Sequence, residues 1–553
     1  MMKRLTYTLA GTLLAALALP AQAQTQKQAN DTTLTRTVVV EQEYNPDILD
    51  ANKVNVLPSV EEPAVSKRPV EYDETLLPAR QVPATPLEAY TGKETRDKAR
   101  PGYARLGYGN YGNLDARAAY LFTLSERDRL DIGFRMNGMK GDLECLSLPG
   151  GLDWSAFAYH TNANIGYAHT FRRATLDLSG HFDLRNFNFL PGLSFGKQKL
   201  TQGGAHLGSA STDTSLPLQY RVETNLNWYE RQHDFLSDDT RETQIRTQAD
   251  VWGAIDETRQ VGIAARMDNM IYSGSALHNY TALTLTPYYR FAPGRWDIRL
   301  GVNVDLSFGY GKEFQVSPDI QAEYSFSDSH LFYIKATGGK RLNDFQRLGN
   351  ANPYVLLATP LDATYELVNA SIGYKSSPAN GLWLNIYAGY QNLQDELFFT
   401  GGGSGLPSDM GKYELTPFLQ DIQNLNAGLE ISYNHRDVFA LTASALYRHW
   451  FNQYRADVAP DMRPAFVAHV RADIRPLSPL ELSVGFRFAS EVKDTGMSLK
   501  EYTNLYLKGS YEVFRGIAIY VQADNLLNMK NLPYYWGYPV KGANFLGGVS
   551  FRF

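Results

Sequence analysis

A regular alternation of apolar and polar residues marks segment after segment of the chain, and residues 296–308 show it most clearly. One parity holds Trp, Ile, Leu, Val, Val, Leu and Phe, and the other holds Asp, Arg, Gly, Asn, Asp and Ser. Because successive side chains of a strand point to opposite faces, this segment has one apolar and one polar face. It is longer than the roughly 9–11 residues that a tilted strand needs to cross a bilayer. The pattern therefore predicts a transmembrane strand with lipid on one side and a polar lumen on the other.

The polar face of this strand supplies candidate lumen residues. Asp297, Arg299, Asn303 and Asp305 share one parity. Polar side chains of a transmembrane barrel face the lumen. We expect these four side chains to set the electrostatics of the lumen rather than to act as catalysts.

The same alternation recurs through residues 103–553, for example at 130–137, 176–185, 218–226 and 480–488. Short turns alternate with long polar connections, as periplasmic turns and outer loops do in such barrels. About 21 strands are evident, and a weak further strand near residues 200–210 restores the alternation and the even number of bacterial single-chain barrels. The prediction is an all-β fold: a transmembrane antiparallel β-barrel of about 22 strands over residues 103–553.

Two segments precede the barrel. Residues 1–23 begin with Lys3 and Arg4, continue through an apolar stretch and end in Ala-Gln-Ala, which is the pattern of a secretory signal peptide. Residues 24–102 are rich in proline and mixed charges and lack sustained periodicity, which predicts an extended N-terminal arm in the periplasm. An export signal followed by alternating strands indicates the cell outer membrane.

Composition and short motifs give little sign of other chemistry. The formal net charge of -5 gives no indication of nucleic-acid binding, and a single cysteine cannot form a disulfide framework. Residues 192–196 read Gly-Leu-Ser-Phe-Gly, but a nucleophile elbow needs a strand-to-helix turn. The histidines are too scattered to predict a metal site, and His160 with Asp183 could form a pair in a polar lumen by chance. We predict no enzyme, no cofactor and no metal.

The C-terminal region resembles a known family. Residues 536–539 read Trp-Gly-Tyr-Pro, and residues 541–553 form a glycine-rich strand that ends in an aromatic residue. This is similar to the last loop and terminal strand of TonB-dependent outer-membrane receptors. Gly548, Phe551 and Phe553 also match the terminal pattern read by the barrel-assembly machinery. A second stretch, residues 352–397, resembles a loop, strand, turn and strand of the same receptors.

The resemblance extends to the arm and implies partners. Thr37, Val38, Val39 and Val40 resemble the TonB box, through which receptors of that family contact an energy-coupling periplasmic protein. The family would also allow a surface lipoprotein as a lid over the outer loops, with lipid around the barrel. In that family a globular plug follows the TonB box. Here the intervening chain is short and almost free of the glycine that tight turns require, so we expect a missing or vestigial plug.

Two functions of different classes stay open. The first is a TonB-dependent-receptor-like barrel that moves a solute across the outer membrane. The alternative is a plugless barrel that acts as a scaffold or subunit of an outer-membrane complex without transport. A barrel of about 22 strands encloses a wide, porin-like lumen. Outer loops, the arm or a partner must therefore occlude it.

Overall fold

The computed structural model describes ten segments of the chain: residues 100–144, 153–190, 196–232, 240–273, 278–355, 361–401, 415–451, 463–493, 498–530 and 538–553. The predicted signal peptide, almost all of the predicted arm and the segment Thr37–Val40 lie outside these residues. The Gly-x-Ser-x-Gly pattern of residues 192–196 also lies outside them, except for its last glycine.

The described chain consists almost wholly of long strands. In chain order the elements are β1 Gly102–Gly109, β2 Leu114–Thr123, β3 Asp128–Glu144, β4 Asp153–Thr170, β5 Ala174–Asn188, β6 Lys197–Ser211, β7 Leu218–Arg231, β8 Thr240–Ala254, β9 Arg259–Ser273, β10 Tyr280–Phe291, β11 Trp296–Phe308, β12 Phe314–Ser327, β13 His330–Arg341, α1 Phe345–Ala351, β14 Thr364–Ala379, β15 Leu382–Gly401, β16 Leu415–His435, β17 Phe439–Phe451, β18 Phe466–Leu477, β19 Leu480–Ala489, β20 Val492–Lys493, β21 Ser498–Leu499, β22 Tyr502–Phe514, β23 Ile517–Asp524 and β24 Asn544–Arg552. A short 3₁₀ turn, Asn110–Gly112, joins β1 to β2.

Twenty-two of these strands form one antiparallel sheet, and the small hairpin of β20 and β21 is separate from it. Each strand of the sheet pairs with its neighbours along the chain, and β1 pairs with both β2 and β24, which closes the barrel. The predicted all-β barrel and its strand number are confirmed. The weak strand that we predicted near residues 200–210 is β6.

The outer surface of the barrel is apolar. Large apolar side chains recur at alternate positions, and Leu300, Ile334 and Ile372 are 50%, 55% and 58% exposed. A continuous apolar belt around a closed barrel is stable only in lipid, so the protein spans the outer membrane. No helix in the described segments has the length and apolar character needed to cross a membrane.

Strands β1 and β24 pair to close the barrel. Two hydrogen bonds join them at the end where β1 begins and β24 finishes. The Gly102 N–H donates to the Phe553 carbonyl oxygen at 2.7 Å, and the Phe553 N–H donates to the Gly102 carbonyl oxygen at 3.0 Å. Within this seam Gly548 pairs with Gly107, and a Cβ atom on Gly548 would lie 2.2 Å from the Leu106 carbonyl oxygen. Glycine at position 548 therefore permits a close approach that a larger residue would prevent.

Short turns lie at the same end of the barrel as this seam, for example residues 171–173 and 292–295. In the usual orientation of such barrels the short turns face the periplasm. The described parts of the long connections 342–363 and 525–543 then lie at the outer end of the barrel.

Candidate functional site at the outer mouth and in the lumen

The connection between β13 and β14 folds inward at the outer mouth in its described parts, residues 342–355 and 361–363, and we name these parts the cap loop. Its helix α1 begins where the Asp344 side chain accepts a hydrogen bond from the Arg347 N–H at 2.7 Å. This is an N-cap, which satisfies one of the free N–H groups in the first turn of a helix. Phe345 and Leu348 of α1 are buried. A short helix with two buried apolar side chains needs a surface to pack on, and the barrel wall provides it.

Helix α1 packs against the inner wall of β7 and β9. The Phe345 ring lies 5.9 Å from the Tyr229 ring and 5.3 Å from the Tyr272 ring, measured between centroids. Leu348 is 2% exposed and belongs to the same apolar cluster as Leu200 of β6. The cap loop is therefore held to one side of the barrel by apolar burial.

The remainder of the cap loop meets a second outer connection. Tyr354 stacks on Tyr538 of residues 525–543, with ring centroids 3.6 Å apart, and lies 5.1 Å from Phe187 of β5. Beside this stack the buried Arg231 donates from Nη2 to the Pro353 carbonyl oxygen at 2.9 Å. Side chains from β5, from β7 and from two outer connections thus meet at the outer end of the barrel.

Ion pairs attach the cap loop to β15. The Arg347 guanidinium lies 3.1 Å from Glu396, and Arg463 approaches the same carboxylate to 2.9 Å. Arg347 also donates to the Thr364 hydroxyl at 3.1 Å, and on the other side Glu242 accepts from the Phe345 N–H at 2.8 Å. Breaking one partner of such a buried pair leaves an unpaired charge, so these contacts resist displacement of the loop.

The two ionisable groups of α1 have shifted pKa values. Burial raises the pKa of the Asp344 carboxyl above its ordinary value, against the opposing effect of the Arg347 N–H bond and the nearby guanidinium groups. Burial likewise lowers the pKa of the Arg347 guanidinium. Both shifts have desolvation as their main cause, which follows from the position of α1 between the loop and the wall.

A cavity of about 300 Å³ lies beside α1. Its cationic lining residues are Arg246, Arg266, Lys340, Arg341 and Arg347. Carboxylates close to these cations balance their charge: Asp268 lies 2.6 Å from Arg246 and 3.2 Å from Arg266. A second lumen cavity, of about 540 Å³, shares part of this lining and extends along the wall below the loop. The lumen around these two cavities is thus polar and contains both charged groups and ion pairs.

The polar residues predicted on β11 lie at separate points along that strand. Asp297 accepts from the Arg290 Nε at 2.8 Å, and Arg299 donates from Nε to Asp319 at 2.8 Å. Asn303 donates to the Gly338 carbonyl oxygen at 3.0 Å, and Asp305 is 1% exposed. These residues make contacts with neighbouring strands rather than one common site. Their role in lumen electrostatics stays a prediction.

The structure brings His160 and Asp183 together. The His160 Nε2 is hydrogen-bonded to the Asp183 Oδ2 between β4 and β5, with Arg185 Nε 3.3 Å from the other carboxylate oxygen. Among the described hydrogen bonds, none joins His160 to a serine or threonine hydroxyl. The described part of the chain also contains no group of three histidine, cysteine, aspartate or glutamate residues placed to hold a metal ion.

Sequence reasoning missed the cap loop as a functional element, because residues 342–363 read as an ordinary polar connection. The available signal was local and weak: Asp344 precedes Phe345 and Leu348, which share one face of a helix. The contact with Tyr538 depends on a residue far along the chain. No local pattern could have indicated it.

Similar solved structures identify the fold. No protein-family model matches the chain, and no curated protein matches its sequence significantly. The FrpB iron transporter from Neisseria meningitidis (F3-3 variant) superposes with a TM-score of 0.62 at 10% identity, over 83% of this chain and 82% of that chain. The chain has the barrel fold of the TonB-dependent receptors. The resemblance seen in the sequence is confirmed for the fold.

Two further structures agree with this result. The copper transporter OprC has a TM-score of 0.60 at 13% identity, covering 82% of this chain and 80% of that chain. The siderophore receptor PirA from Pseudomonas aeruginosa has a TM-score of 0.57 at 10% identity, covering 82% of this chain and 79% of that chain. All three proteins are transporters or receptors, and at these identities the likeness concerns the fold.

Proposed function

We propose that this barrel moves a solute across the outer membrane and that displacement of the cap loop opens the way. The observation that carries the proposal is the stack of Tyr354 on Tyr538, which joins two outer connections at the outer end of the barrel. Aromatic contacts and the Arg347–Glu396 pair hold the cap loop at this end. A gated passage requires such a loop.

The proposal includes energy coupling through the arm. Thr37, Val38, Val39 and Val40 form a β-branched run in residues 24–102, which we propose to be a periplasmic arm following a cleaved signal peptide. Such a run can add a strand to the sheet edge of a periplasmic coupling protein, with main-chain hydrogen bonds supplying much of the affinity. The transporters and receptors that share the fold support this class of function.

The test compares the intact protein with two variants at one position. Val39→Pro removes a backbone donor and blocks strand pairing, whereas Val39→Thr keeps both the donor and the β-branched shape. Each form is purified from native membranes and its partners are identified. We expect the coupling protein with the intact and Val39→Thr forms and its loss with Val39→Pro. Equal recovery with all three forms would overturn the proposed coupling.

The same purification tests the alternative of a scaffold without transport. A scaffold would retain one stable companion, either a periplasmic subunit or a surface lipoprotein over the outer loops, in all three forms. Its lumen would also stay closed to ions in planar bilayers in all three forms. That pair of results would replace transport with scaffolding as the function.

A further inference from the structure

Three arginines form a cross-strand row on β1, β2 and β3. Arg105 pairs directly with Arg117, and Arg117 pairs directly with Arg135. Directly paired residues point to the same face of a sheet. Leu106, the neighbour of Arg105, is 61% exposed on the lipid side, so the row lies on the lumen side. We name these three residues the arginine row.

The arginine row contacts fewer carboxylates than it has guanidinium groups. Among the described ion pairs only Asp115 contacts it: Asp115 pairs with Arg105 and lies 3.3 Å from the Arg117 Nε. The Tyr520 hydroxyl occupies part of the same carboxylate by donating to Asp115 Oδ2 at 3.3 Å. Three guanidinium groups against one carboxylate leave two positive charges in excess. Like charges directly opposite each other in a sheet are destabilising, so a counter-charge would stabilise the row.

The row also has unused hydrogen-bond donors. The Arg105 and Arg117 side chains are only 10% and 9% exposed. Even so, Arg105 Nε, Arg117 Nη2 and Arg135 Nε are shielded from solvent and have no hydrogen-bond partner among the described residues. A buried donor without an acceptor destabilises the fold, and a charged one does so more strongly. An oxyanion bound against the row from the lumen would supply both the missing charge and the missing acceptors.

The cationic cavity beside α1 differs in its ion pairs. There Arg246 and Arg266 both contact the buried Asp268, and Arg341 lies 2.7 Å from Glu366. Each of those arginines has a carboxylate partner. In the arginine row, by contrast, Arg135 has no carboxylate partner among the described ion pairs.

We propose that the arginine row binds a small, multiply charged oxyanion, a solute that carries phosphate groups or several carboxylates. Guanidinium groups match both kinds of ligand because they donate two parallel hydrogen bonds to a pair of oxygens. Two excess charges favour a ligand with at least two negative charges over a monovalent one. The inference rests on the proposed transport function and names the class of its solute.

The test is isothermal titration calorimetry of the purified full-length protein with sodium pyrophosphate and with sodium citrate, at constant ionic strength. We expect saturable binding of at least one of the two, with acetate at the same ionic strength giving none. Arg117→Gln and Arg135→Gln should weaken the affinity at least tenfold. Arg117→Lys keeps the positive charge but cannot donate two parallel hydrogen bonds. Its affinity should therefore fall between those of the wild type and Arg117→Gln.

Arg471→Gln is the matched control, because Arg471 is a partly buried lumen arginine that already pairs with Asp473 at 2.8 Å. It should bind the anion as the wild type does. Absence of saturable binding, or an equal loss in Arg471→Gln, would overturn the proposal. Heat-modifiable migration verifies that each variant is folded.

Failure of this site and failure of transport give different results. Val39→Pro should retain full anion affinity, since it changes only the arm. Anion binding without recovery of the coupling protein would leave the site standing and remove energy-coupled transport. Recovery of the coupling protein without anion binding would leave transport standing and exclude this class of solute at the arginine row.

Discussion

Tyr354 and Tyr538 stack face to face, with ring centroids 3.6 Å apart and ring planes 14° from parallel, although they belong to different outer connections. The nearby Trp154 ring contacts Tyr538 at 5.6 Å in an edge-on arrangement. An aromatic pair contributes about 0.5–1.5 kcal/mol beyond the area that it buries. The stack therefore stabilises the contact between the two outer connections without making it permanent.

Removing one ring should open the mouth. Tyr354→Ala deletes the stack and its contact with Phe187, so we expect a higher frequency and duration of open events in single-channel recordings from planar bilayers. Tyr354→Phe keeps the ring and should behave as the wild type does. Identical recordings from Tyr354→Ala and the wild type would show that the stack does not hold the cap loop.

Ionisation of Asp344 should make the protection of the cap loop from protease depend on pH. Because burial raises the folded-state pKa of this acid, its contribution is fully present below the unfolded-state value of about 3.9 and is lost as the pH rises through the raised value. Asp344→Asn keeps an N-cap side chain but cannot ionise. We therefore expect the variant loop to be better protected than the wild-type loop above the raised pKa, with the difference shrinking as the pH falls towards the unfolded-state value.

Trypsin cleavage after Arg347 measures this protection. The ratio of the wild-type rate to the Asp344→Asn rate, taken at each pH, cancels the pH dependence of the protease. That ratio should rise as the pH increases through the raised pKa of Asp344. Asp344→Ala is the control for loss of the cap, and it should be cleaved faster than Asp344→Asn at every pH. A ratio that is constant with pH would contradict the prediction.

Arginine substitutions on β11 should separate its two faces. Val302→Arg places a charge on the lipid side and should cost roughly 2–4 kcal/mol if the position is near the bilayer midplane. Asn303→Arg keeps a polar group on the lumen side and should cost about 1 kcal/mol, for the lost hydrogen bond to the Gly338 carbonyl oxygen. Urea titration of refolding in lipid vesicles measures both. Equal destabilisation would mean that the assigned faces are wrong.

Deletion of Phe553 should impair assembly. The deletion removes the two hydrogen bonds with Gly102 and a ring that lies 6.1 Å from Tyr120, while Gly548 and Phe551 remain. We expect less heat-modifiable barrel in the outer membrane and unchanged export to the periplasm, since the proposed signal peptide, residues 1–23, is unchanged. Phe553→Tyr keeps an aromatic end and should insert normally. Full insertion of the deletion variant would exclude a role in recognition by the assembly machinery.

The alternating pattern predicted the barrel well because the alternation is visible within the sequence of each single strand. The apolar and polar parities of residues 296–308 coincide with the whole of β11. Strand β6 gave a weaker signal, since glycines and alanines such as Gly203, Gly204 and Ala205 dilute its apolar parity. Only the alternation of long and short connections indicated that it was present.

The candidate sites were harder to predict because they depend on contacts between distant residues. The arginine row joins Arg105, Arg117 and Arg135, which become neighbours only through the register of three strands. A shift of one residue in either pairing would turn part of the row towards lipid. Likewise, the cap loop gains its role from Tyr538, which belongs to a connection near the other end of the barrel sequence.

The seam between β1 and β24 has a consequence for how the barrel forms. Every other pairing in the sheet joins strands that are close along the chain, whereas this one joins Gly102 to Phe553. The sheet can therefore grow hairpin by hairpin. It remains open, with two unpaired edge strands, until the last strand pairs with the first. Ring closure is then a single late event, and any chain stalled before it would expose both edges to aggregation.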